Sequence, residues 1–178
     1  MTAHRIRRLG MLWLPGLAAL VPLLAQPALA QVRQGEAGLT LALAMEAAQA
    51  AIGHCEAQGW RVSVSVVDTA GVLRLQARGD FSTIHTEQSS FRKAYTVVTL
   101  GPIFRFDTSG EFAAMAARSP AGPALTSLPN ILPLAGGVAV RRNGEIIAAI
   151  GVGGAPGGER DEACARAGLA RIAARLAG

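Results

Sequence analysis

The dipeptide Asn143-Gly144, in "GVAVRRNGEIIAAIGVGG" (Gly137 to Gly154), constrains the fold of this chain more than any other feature. Asn-Gly suits a two-residue type I′ turn, whose central residues both need positive φ. Val138 and Val140 precede it, and Ile146 and Ile150 follow. An antiparallel hairpin is therefore expected here. A second pair of strands is read earlier. In "RVSVSVVD" Val62, Val64 and Val66 alternate with Ser63 and Ser65, the pattern of a half-buried strand. "DTAG" (Asp68 to Gly71) is a turn, and "VLRLQARG" (Val72 to Gly79) returns.

Helical periodicity surrounds these hairpins. Thr40 can cap a helix from Leu41 to about Gln58, with Leu41, Ala44, Met45, Ala48, Ile52 and Cys55 as its apolar stripe and Gly59 as its stop. Ser82 or Thr86 can cap a second helix ending near Leu100 and Gly101. A short helix is expected over Ser109 to Arg118, then a long loop with four prolines to Gly137 that has room for a short strand. A closing helix runs from about Gly158 to Leu176, where Ala163, Ala167, Ala170 and Ala174 would allow close packing. Hairpin-joined strands flanked by helices predict a single α+β domain, with a mainly antiparallel sheet of about five strands.

The first thirty residues read differently. Arg5, Arg7 and Arg8 precede the apolar run Met11 to Leu24, and "ALA" (Ala28 to Ala30) offers a small-x-small cleavage site. That is the layout of a secretory signal peptide. The apolar run is short for a bilayer span and holds Pro15 and Pro22, so no stable anchor is expected after cleavage. The reading is a cleaved signal over 1–30, a flexible lead-in over 31–38 and a domain over 39–178, in a periplasmic or secreted protein. The formal charge of +5 comes from 17 basic and 12 acidic residues. Losing Arg5, Arg7 and Arg8 leaves 14 against 12, or +2. That is too little to point to nucleic acid. Cys55 and Cys164 are the only cysteines. An oxidising compartment permits a bond between them, and two buried thiols fit the residues equally well.

"GVGGAPGG" (Gly151 to Gly158) opens onto the last helix, as phosphate-binding loops do. Spacing argues against that role. A GxGxxG begun at Gly151 meets Pro156 where its last glycine belongs. A GxxxxGK[ST] begun at Gly153 reaches Gly158 and then meets Glu159 and Arg160. Glu159, Asp161 and Glu162 would also repel a phosphate, and they read as a solvated face. Gly153 and Gly154 remain candidates to border a ligand with backbone alone.

Other chemistry is sparse. GxSxG and HExxH are absent, and no catalytic residue is nominated. His54, near the end of the first helix, reads as exposed or capping. His85 in "DFSTIHTEQ" lies between a strand and a helix beside Thr83 and Thr86, and is the candidate metal or haem-iron ligand.

The blocks "VSVVDTAGVLRLQARGD", "RKAYTVVTLG" and "LAGGVAVRRNGEIIAAIGVGGAPGGERDEACARAGLARI" resemble the GlcG/HbpS-like family of small haem-binding proteins. The C-terminal domain of PduO-type adenosyltransferases is in the same group. The resemblance spans Leu39 to Leu176. It implies an antiparallel sheet packed by helices, a homo-oligomer, and haem or a related tetrapyrrole as partner. Carried onto this chain, it makes His85 and Thr86, with Phe81, Gly153 and Gly154, the candidate cofactor-binding residues, and His85 the metal ligand. Phe104, Phe106 and Leu134 could add apolar walls. The implied function is haem sequestration, transport or sensing. The alternatives are an enzyme acting on haem or on a small carboxylic acid, and a partner-binding subunit without a ligand.

Overall fold

The computed structural model describes residues 38–176. The signal and lead-in readings, on residues 1–37, lie outside them. Helix α1 (Leu41–Glu56) begins at Thr40, whose hydroxyl accepts from the Leu43 amide at 3.3 Å. Strands β1 (Ser63–Asp68) and β2 (Leu73–Arg78) form the first hairpin. Its turn is held by the Asp68 carboxylate, which accepts from the amides of Ala70 and Val72. Helices α2 (His85–Phe104), α3 (Ser109–Arg118) and α4 (Gly122–Thr126) follow. Strands β3 (Gly137–Arg142) and β4 (Glu145–Gly153) make the second hairpin. Asn143 and Gly144 both take positive φ, as a type I′ turn requires. Helix α5 (Gly158–Ile172) closes the chain with a short 3₁₀ turn, Ala173–Arg175.

The sheet is antiparallel throughout, in the order β2-β1-β4-β3. Four strands form where about five were expected, because the proline-rich segment folds into α4 and turns. Pro123 at the start of α4 is favourable there, since its missing N–H would have no helical partner.

The two faces of the sheet differ in chemistry. Val62, Val64, Val66, Val138, Val140, Ile150 and Val152 pack against α1 and α5 in one apolar cluster. Ser63, Ser65, Ala139, Ala149, Gly151 and Gly153 fall on the opposite face, under α2. Ser63 and Ser65 are therefore wholly buried, not solvated. Strand β1 alternates apolar with hydroxyl, but both sides are covered.

The helix faces also depart from the periodicity reading. In α1 the buried residues are Ala44, Ala47, Ala48, Ala51 and Cys55, while Leu41 and Met45 are exposed. In α5 they are Asp161, Cys164, Ala165, Gly168 and Ile172, and Ala163, Ala170 and Ala174 face outward. The cause is close helix–helix approach. A first side-chain carbon on Gly168 would lie 2.6 Å from the Ala47 carbonyl oxygen and 3.1 Å from Ala51. Only small residues fit that seam, so the larger ones turn away.

Cys55 and Cys164 form a disulfide across this seam, joining positions 109 residues apart. Closing so long a loop restricts the unfolded chain strongly, by about 2–5 kcal/mol of stability. The double variant Cys55→Ala/Cys164→Ala should lose about that much in urea unfolding. Reduction of the wild-type protein should lower its melting temperature in the same direction.

Candidate functional site

The corner between β2 and α2 carries most of the nominated residues. Gly79 starts it, with its amide bonded to the Val62 carbonyl at 2.9 Å. Phe81 follows with φ of 62°, a backbone conformation unusual for an aromatic residue, and is 87% exposed. Ile84 is also exposed. Helix α2 starts at His85 with no side-chain cap.

Neither Ser82 nor Thr86 caps it, because both hydroxyls are engaged elsewhere. Thr86 Oγ1 donates to the Thr83 carbonyl at 2.6 Å, and the hydroxyls of Ser63 and Ser82 each lie 2.7 Å from it. One turn further on, Ser65 Oγ meets Ser90 Oγ at 2.8 Å and accepts from Gln76 Nε2 at 3.1 Å. Ser90 in turn donates to the Glu87 carbonyl. A ladder of hydroxyls thus fastens α2 to β1. A hydroxyl has one proton and two acceptor lone pairs, so Thr86 has no capacity left for a ligand.

His85 is exposed. Its Nδ1 lies 3.1 Å from Thr83 Oγ1. That contact orients the ring and leaves Nε2 as the nitrogen a metal can use. His54 is exposed in the last turn of α1.

The glycine loop joins the same corner from behind. A side chain on Gly153 would collide with Ser89 Oγ and come within 3.1 Å of the Thr86 carbonyl oxygen. At Gly154, which has φ of 128°, it would strike the Arg61 carbonyl and approach Thr86 Cγ2. Phe81, His85, Thr86, Gly153 and Gly154 therefore lie in one region, but at different depths. Phe81, His85 and Gly154 reach the surface, whereas Thr86 and Gly153 are buried beneath it. Phe106 belongs elsewhere. It is 6% exposed, packed against the Phe112 ring at 5.6 Å, and lines the core. Phe104 and Leu134 are exposed.

Two residues missed at the sequence level hold this region together. Lys93 and Asp161 form a buried ion pair at 2.6 Å, with both side chains 4% exposed. Lys93 Nζ also donates to the Val152 carbonyl, and the Asp161 carboxylate accepts from the Ala155 amide at 2.9 Å. The acidic run Glu159 to Glu162 suggests a solvated face, but Asp161 is buried. It clamps the start of α5 to α2 and folds the "GAPG" backbone around itself. Burial raises the Asp161 carboxyl above the usual aspartate range, and Lys93 and the Ala155 and Gly154 amides pull it back down. The only local signal was a lysine in a helix with no acidic neighbour at helical spacing, too weak to identify its partner.

The family model for haem-degrading protein HbpS-like matches residues 39–170. The chain belongs to the HbpS-like family. A crystal structure of HbpS is 41% identical, superposes with a TM-score of 0.68, and is aligned over 75% of this chain and 89% of that one. A double mutant of Streptomyces reticuli HbpS is 38% identical, with a TM-score of 0.69 and coverage of 82% and 96%. The complex of PduOC with haem, at 21% identity, a TM-score of 0.66 and coverage of 76% and 95%, shares the fold. No curated protein matches.

The ion pair makes a sharp prediction. Lys93→Met leaves a carboxylate buried without its partner, which should cost about 3–5 kcal/mol near neutral pH. Adding Asp161→Leu should recover most of that loss in urea unfolding. The loss should also shrink as pH falls. With a folded-state pKa raised above the unfolded one, the protonated carboxyl favours the fold. That contribution is present below the unfolded pKa and disappears as pH rises through the folded one. Lys93→Met should therefore be relatively most stable in acid and weaken from the ordinary aspartate range upward.

Proposed function

We propose that this member of the HbpS-like family is an exported haem-binding protein, with His85 as the iron ligand. The observation that carries the reading is the exposed His85 imidazole, oriented through Nδ1 by Thr83 at a corner that also presents Phe81 and Ile84 to solvent. The donor set fits the group. A neutral imidazole is a common axial ligand of haem iron, and exposed apolar side chains suit the face of a porphyrin. Bound there, haem would supply iron redox chemistry. The protein's part is ligation by Nε2 and apolar contact.

The family supports the haem reading through the description of its model, haem-degrading protein HbpS-like. Export is supported by the N-terminal signal pattern and by the Cys55–Cys164 disulfide, a bond that persists in oxidising compartments. Among the described residues no helix is long and apolar enough to cross a membrane. Sequestration, transport and sensing all use such a site, and a homo-oligomer accords with the exposed Leu41, Met45, Ile103 and Leu128.

A second reading, haem breakdown, is favoured by the description of the family model. It predicts loss of the Soret band when the haem-loaded protein is given ascorbate and oxygen, faster than for free haem.

Titration of the purified mature chain with haem at micromolar concentration should shift the Soret band. His85→Ala should weaken that binding by about tenfold or more. A wild-type titration without a shift would overturn the haem reading. An unchanged titration in the variant would remove His85 alone.

A further inference from the structure

Two arginine–aromatic pairs, one on Phe81 of the His85 corner and one on the segment that precedes β1, have no role in the hydroxyl ladder or the buried ion pair. The Arg61 guanidinium lies over the Phe81 ring, 5.7 Å from its centroid. Arg160, in the first turn of α5, lies over the Trp60 ring at 5.2 Å. Trp60 and Arg61 are consecutive, so the two pairs meet on one short segment between α1 and β1. That segment is in turn backed by Gly154, where a side chain would strike the Arg61 carbonyl.

The cost of this arrangement is informative. Phe81 combines a left-handed backbone with near-complete exposure. Strain of this kind persists where the surrounding structure enforces it, and it concentrates at ligand sites. Among the described residues, nothing covers the outer face of the ring. Trp60, by contrast, is partly buried and packs on the apolar core, so it gives Arg160 a fixed seat. Both cations remain available. Arg61 touches Glu56 only at 3.7 Å, between two half-exposed side chains, a contact of little strength. Arg160 has no ion-pair partner among the described residues.

We propose that Arg61 and Arg160 receive the two carboxylates of a planar, apolar ligand whose face rests on Phe81. This deepens the haem reading above and rests on it, because haem carries two propionates at one edge of an apolar disc. The planar guanidinium offers paired donors that match a carboxylate, and its stacking on a ring holds the fork in position. Arg61 and Arg160 are then specificity residues, selecting the diacid over neutral porphyrins of the same size.

The test compares haem with haem dimethyl ester, whose propionates carry no charge, by Soret titration of the mature chain. The variants are Arg61→Ala, Arg160→Ala and the double substitution. Both sites are on the surface, and thermal melting checks that the fold is retained. The double variant should bind haem about tenfold more weakly than wild type, while its affinity for the ester should equal that of wild type. Arg61→Lys should recover only part of the loss, since lysine keeps the charge without the fork. Wild-type binding of haem with equal affinity in the double variant would overturn the carboxylate assignment and leave the haem reading intact. Equal weakening for haem and ester would overturn it as well, by showing a packing role. Absence of haem binding in the wild type would overturn both.

Discussion

The first turns of helix α2 lie so close to the sheet that glycine, alanine and serine fill the strand positions beneath them, with Val67 and Ile146 packing only under the later turns, and much of the molecule is arranged around that contact. A side chain on Gly151 would collide with the Ser90 carbonyl, and one on Gly137 with the Lys93 carbonyl. Little apolar area can be buried across so tight a seam. Hydroxyl pairs between Ser63 and Thr86 and between Ser65 and Ser90 replace it. These bonds are individually modest, but leaving any partner unpaired in so dry a place would be costly. Among the described residues, no buried side-chain nitrogen or oxygen lacks a partner. Apolar packing on this face is displaced to the later turns of α2, where Val67, Val97, Phe112 and Ile146 cluster, and on the other face valine and isoleucine meet α1 and α5 and the disulfide pins those two helices together.

The same closeness explains Lys93. Its ammonium reaches the end of β4, where Asp161 and the Val152 carbonyl receive it. The pair ties α2, β4 and α5 together at one point. A first side-chain carbon on Gly136 would come within 2.8 Å of both Lys93 Nζ and Asp161 Cβ, so the "AGG" turn is the lid of this small polar chamber. The loop that looks like a phosphate cradle spends its backbone on Asp161, an acid supplied by the protein itself. The Ala155 amide is the visible case.

Local chemistry made the hairpins legible. Asn143-Gly144 can take positive φ at both turn positions, and Asp68 can cap its own turn, so neither needs the rest of the chain. Helix faces were less legible because periodicity favours large apolar residues. It picked Leu41 and Met45, whereas the seam against Gly168 selects Ala47 and Ala51. Strand β1 failed in the opposite way. Ser63 and Ser65 look like a wet face until a helix bearing matching hydroxyls is laid over them. Asp161 stood in an acidic run at a helix start, which a solvated face explains equally well. Its burial depends on Lys93, 68 positions earlier.

For the site, the family blocks brought Phe81, His85, Thr86, Gly153 and Gly154 to one place, but depth could be read only from the packing. Thr86 and Gly153 belong to the frame, while His85 and Phe81 stand outside it. That division has a consequence for binding. Since the Thr86 hydroxyl already has its full set of partners, a ligand at His85 need not break any buried hydrogen bond in order to dock. The ladder beneath holds the first turn of α2 still, and the histidine that starts it is presented on a rigid support. Ligation by a single surface imidazole would be weak without such pre-organisation, because the ordering cost would fall on the binding step. Under the haem reading that cost would be met in folding, by the buried hydroxyls of Ser63, Ser65, Thr86 and Ser90 beneath the histidine.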